Sequence, residues 1–110
     1  MKNLPEFKAL IERYESVTPK EIEEKWTGFG NGTAELITGF SNYSRCTLCK
    51  AVNIECYNCT WLITGSDCVS DMNSDTYFDI SDSLTPTELL TAFRARAAYM
   101  RQVLKDGGVE

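Results

Sequence analysis

The residues best suited to chemistry are five cysteines: Cys46-Thr-Leu-Cys49, six residues, Cys56-Tyr-Asn-Cys59, eight residues, then Cys68. A Cys-x-x-Cys turn sets two sulfurs on one side of a tight loop or helix start. Two such turns complete a tetrahedral shell of soft ligands for zinc, with sulfurs at about 2.3 Å. The short spacer requires the two turns to lie close together, and Cys68 offers a fifth thiolate that can replace one of the first four. The leading expectation is a structural zinc drawn from Cys46, Cys49, Cys56, Cys59 and Cys68. An iron–sulfur cluster also takes four cysteines, and spacing alone does not separate the two. A thioredoxin-like redox pair is disfavoured, because neither motif sits between a strand and a helix. The plain alternative is five buried thiols packed as small apolar groups. Two regularly spaced pairs make that alternative unattractive.

Neighbouring residues read as packing. Leu48, Val52, Ile54, Trp61, Leu62 and Ile63 would shield a metal from water, with Trp61 as a lid over that core. The chain contains no histidine. That removes Ser-His and Cys-His catalytic pairs and every zinc site that needs an imidazole. Nothing else in the sequence assembles a catalytic group, so no enzyme activity is expected.

In order and spacing, Cys46-Thr-Leu-Cys49, Cys56-Tyr-Asn-Cys59-Thr-Trp61, Cys68 and the later Tyr77 resemble a loose group of small cysteine-rich proteins from phages and mobile elements. In that group a Cys-x-Leu-Cys, Cys-x-x-Cys, Cys, Tyr order precedes a C-terminal helix. The similarity covers residues 46–104, with one departure: many members follow the second pair with proline, where this chain has Thr60. The resemblance implies the biology of a small phage protein and carries no catalytic activity. Inhibition of a host defence protein is the specific hypothesis it suggests.

Charge is segregated along the chain. The formal net charge is −5, and no basic residue stands between Lys50 and Arg94. That interval holds Glu55, Asp67, Asp71, Asp75, Asp79, Asp82 and Glu88. The acidic balance counts against nucleic-acid binding, which depends on lysine and arginine neutralising phosphates. Asp67, Asp71, Asp75, Asp79 and Asp82 instead suggest a surface that docks on a basic protein by electrostatic complementarity. Arg94, Arg96, Arg101 and Lys105 follow on the last predicted helix, with Arg94, Arg101 and Lys105 nearly on one face. The ordinary reading of those cations is a solvated helix end that favours positive charge.

The elements that must position these groups are mostly helical. Leu4, Phe7, Leu10, Ile11, Tyr14 and Val17 recur at three- and four-residue steps, predicting an amphipathic helix across Asn3–Val17. Thr18-Pro19-Lys20-Glu21 is a capping box with proline at the first helical position, opening a short helix to about Trp26. Gly28, Gly30 and Gly32 are expected to break the chain there. Residues 33–45 fit either a strand or a helix, with helix preferred. The acidic stretch 69–84 contains a short helix near 75–82. Thr85-Pro86-Thr87-Glu88 repeats the capping signal before Leu89, Leu90, Phe93, Ala97, Met100, Val103 and Leu104. It predicts a helix from Pro86 to Lys105 that stops before Gly107-Gly108.

Two further motifs are weak. Asp71, Asn73, Asp75, Asp79 and Asp82 overlay positions 1, 3, 5, 9 and 12 of a calcium-binding EF-hand loop. Thr76 stands where that loop needs glycine, and Asp82 where glutamate is usual. Gly28-Phe-Gly30-Asn-Gly32 resembles a phosphate loop only superficially, without the following Lys-Ser/Thr.

At 110 residues, 43% of them hydrophobic, the chain fits one domain with a modest core that benefits from a staple. The charged start, Met1 to Lys8, and the absence of an apolar run of about 18 residues predict a cytoplasmic protein. In that compartment the sequons at Asn31, Asn42 and Asn58 are silent. The composite expectation is a mainly α single domain spanning 1–110. A helical part (3–45) and a C-terminal helix (85–106) pack around a cysteine-rich centre (46–68), with an acidic segment at 69–84. Its function would be protein–protein interaction. The alternatives are a thiol redox protein using one Cys-x-x-Cys pair, or a zinc-dependent nucleic-acid module using the Arg94/Arg101 face.

Overall fold

The computed structural model of the chain describes residues 3–38 and 74–109. All regular structure among them is helical: α1 (Leu4–Ser16), α2 (Pro19–Lys25), α3 (Gly30–Thr38), α4 (Ser74–Ser81) and α5 (Pro86–Asp106). The chain is a small, mainly helical domain. The cysteine-rich segment 46–68 lies outside the described residues, as do 39–45 of the stretch with ambiguous periodicity. Residues 33–38 belong to α3, which agrees with the helical preference there.

Helix α1 starts where the Asn3 carbonyl accepts the Phe7 amide at 2.8 Å, with Pro5 in the first turn. Its predicted apolar stripe faces inward: Phe7, Leu10, Ile11, Tyr14 and Val17 are buried and Leu4 half-buried. The chain then turns extended at Val17 and Thr18, as a residue ahead of proline prefers. The Thr18 hydroxyl accepts the Glu21 amide at 3.2 Å, and α2 begins.

The longest helix, α5, packs against α1, α2 and α4. It buries Leu89, Ala92, Phe93, Arg96, Ala97, Met100, Val103 and Leu104. The Phe93 ring stacks on Tyr14 with centroids 5.1 Å apart. Such an aromatic pair contributes about 1 kcal/mol beyond the area it buries. At its end Gly108 takes a left-handed φ of 78°. The Gly108 amide returns to Lys105 O at 3.1 Å, and the Val109 amide to Leu104 O at 2.9 Å. This is a Schellman stop, with Val109 folded onto the core. The glycine pair therefore ends the helix one residue beyond its predicted end.

The glycines at 28–32 behave differently from the expected break. Gly28, at φ 108°, makes the turn, but Gly30 and Gly32 lie in the first turn of α3. Gly30 is there because α4 presses on it. A Cβ at that position would sit 1.9 Å from the Ile80 carbonyl oxygen and 2.9 Å from Ser83 Cβ. The Gly30 amide also donates to Ser83 O at 2.7 Å, which ties the start of α3 to the end of α4. This contact removes any phosphate-loop role from Gly30, whose N–H is already engaged.

Candidate acidic docking surface

The end of α4 is where predicted site residues come together. Asp79 and Asp82 are exposed, while Ile80 and Ser83 between and beside them are buried. The turn from α4 to α5 is tightly fixed. Ser83 Oγ donates to Asp79 O at 2.5 Å, and the Asp82 amide donates to Phe78 O at 2.8 Å. Thr85 Oγ1 accepts the Glu88 amide at 3.2 Å, and the Glu88 carboxylate accepts the Leu84 amide at 2.9 Å. Glu88 is thereby anchored beside the two aspartates. Together the three carboxylates border an open groove of about 410 Å³, whose other described walls are Ser83, Thr87, Thr91, Ala92 and Ala95.

Two of these acids stand where helix stability disfavours them. A helix carries partial negative charge at its C-terminal end, so carboxylates there are unfavourable by a few tenths to about 1 kcal/mol each. Asp79 lies in the last turn of α4 and Asp82 just beyond it. Glu88, in the first turn of α5, is at the favourable end.

Each described arginine is bonded to another group of the fold or buried in it. Arg13 grips Glu21 through two bonds, Nη1 at 2.9 Å and Nη2 at 2.5 Å, and its Nε donates to Ile37 O at 3.3 Å. Lys25 Nζ reaches the same carboxylate at 3.0 Å. Hydrogen bonding from Arg13, then Lys25, holds the Glu21 pKa down at about 2 and raises that of Arg13. Arg94 donates to Tyr14 O and, at 2.7 Å, to Val17 O, satisfying carbonyls at the end of α1. Arg101 pairs with Glu15 through two bonds of 2.7 Å, which lowers the Glu15 pKa. Arg96 is fully buried on the core face of α5. The solvated-helix reading is therefore corrected for Arg96, which is buried, whereas Lys105 is exposed in the last turn as expected, and Arg94 and Arg101 bond to α1 while keeping contact with solvent.

The other predicted site residues are distributed as follows. Asp75 lies within α4, whereas Asp67, Asp71 and the ligand candidates Cys46, Cys49, Cys56, Cys59 and Cys68 lie outside the described residues. Among the described residues no group of three Cys, Asp or Glu side chains is arranged to hold a metal. The EF-hand overlay fails on backbone grounds. Its positions 4–11 coincide with α4, and a continuous helix cannot wrap around an ion. Among the described residues no helix is long and apolar enough to cross a membrane.

Sequence reasoning did not single out Glu88 as a surface residue of this site. Its place in the capping box was the available signal, because a glutamate there returns to the preceding turn. No family model, curated protein or solved structure matches the chain.

Proposed function

We propose that the chain is a non-enzymatic, metal-stabilised interaction protein that docks on a basic protein partner through its acidic surface. The observation that carries this reading is the distribution of charge: Asp79, Asp82 and Glu88 border an open groove, while Arg13, Arg94 and Arg101 are engaged by groups of the fold and Arg96 is buried. Exposed carboxylates that destabilise their own helix are better explained by a cationic partner than by folding. Asp67, Asp71 and Asp75 are the further acidic candidates for that partner. Zinc, held by four of Cys46, Cys49, Cys56, Cys59 and Cys68, would supply the staple that a core this small favours. The resemblance to small phage proteins makes a host defence protein the specific partner class.

The nucleic-acid alternative needs cations available on α5, and Arg94 and Arg101 are committed to α1. A chain with Asp67, Asp71, Asp75, Asp79 and Asp82 changed to asparagine tests the reading. It should keep its helical circular dichroism but fail to capture, from host extract, a basic protein that the wild type retains. Equal capture by both chains refutes acidic docking.

A further inference from the structure

We infer that the α4–α5 groove seats a lysine- or arginine-bearing helix of the partner, laid against the small-residue face of α5. This inference rests on the proposed acidic docking and specifies where and in what form the partner binds. Its first support is the outer face of α5. Thr87, Thr91, Ala95, Ala98 and Gln102 follow at steps of four or three residues and are all exposed. In a chain that is 25% charged, a solvated helix face would ordinarily carry lysine and glutamate. Between Thr87 and Gln102 this stripe carries no charge, although Glu88 and Arg94 flank it and the exposed Lys105 and Asp106 continue it at the end of α5. Threonine and alanine leave little side chain between two helix axes, so a second helix can approach closely.

The second support is the groove. Ala92 and Ala95 form an apolar part of its wall, and the bordering carboxylates belong to Asp79, Asp82 and Glu88. No cation stands among its described lining residues. The opposite flank of α5 is closed to a partner of this kind, because Arg94 and Arg101 hold it on α1. Among the described residues, this leaves the α4 side of α5 open to a helix. Charge asks that this helix carry cations beside a narrow apolar ridge.

The test uses the full-length chain and a synthetic amphipathic helix with lysines flanking an alanine–leucine stripe. Backbone amide NMR during titration should show shifts concentrated at Thr87, Thr91, Ala95, Asp79 and Asp82. Ala95→Trp fills the groove at an exposed position without changing charge, and should weaken binding about tenfold or more. Asp79→Asn with Asp82→Asn should weaken it as well and flatten its salt dependence. If the asparagine variant loses binding while Ala95→Trp binds like wild type, the groove is refuted and acidic docking survives. If the asparagine variant binds like wild type, or the peptide does not bind the wild type, both readings fall. Concentration-dependent dimerisation that Ala95→Trp abolishes would assign the groove to a second copy and overturn the partner helix.

Discussion

At Gly30 the side chain is a hydrogen atom because the end of α4 leaves no room for more. An added Cβ would overlap the Ile80 carbonyl oxygen, and its relief would pull the Gly30 amide off Ser83. Gly30→Ala should destabilise the domain by about 1–3 kcal/mol, the usual cost of overpacking a tight contact. A denaturant midpoint equal to wild type would contradict this. From the sequence, Gly28, Gly30 and Gly32 look equivalent, since each is a glycine in one polar run. Only the tertiary approach of α4 distinguishes the glycine that turns the chain from the one that admits a neighbour. Arg96 shows the reverse. It stands three residues after Phe93 and four before Met100, so its place on the buried face was legible from spacing alone. Its charge, and not its position, suggested a solvated residue.

Between elements, guanidinium groups tie the helices together. Arg13 joins α1 to Glu21 of α2 and to the last turn of α3, while Arg94 satisfies the end of α1 from α5. Both capping boxes were legible, and both threonines cap as expected. Their glutamates diverge: Glu88 returns to the preceding turn, whereas Glu21 goes to Arg13 and Lys25. A pH dependence follows. The Glu21 carboxyl is depressed in the folded chain from 4.5 to about 2. Its contribution is thus complete above the ordinary glutamate range and is lost as pH falls toward 2. Both partners remain partly exposed, so the pair is worth at most about 1 kcal/mol. Glu21→Gln should be less stable than wild type at pH 7, and the gap should close between pH about 4.5 and about 2. Urea melts at several pH values check this, and a gap that persists unchanged to the acid end contradicts it.

For the whole molecule, the described helices form one core in which Phe7, Tyr14, Ile22, Ile80, Phe93 and Leu104 meet. Helical periodicity and capping signals anticipated α1, α2 and α5, which rest on local rules that a sequence displays, whereas the start of α3 at Gly30 was expected to be a break because only the packing of α4 on that glycine fixes it. The acidic surface was legible as composition and became a groove only through the α4–α5 turn, whose geometry depends on Ser83 and Glu88. We propose that a metal staple in the cysteine segment holds this body together. Elemental analysis of protein purified under reducing conditions without added metal tests that claim most directly. About one zinc per chain is predicted, with loss of helical structure when a chelator removes it. Protein free of zinc and iron that keeps its fold in chelator would contradict it.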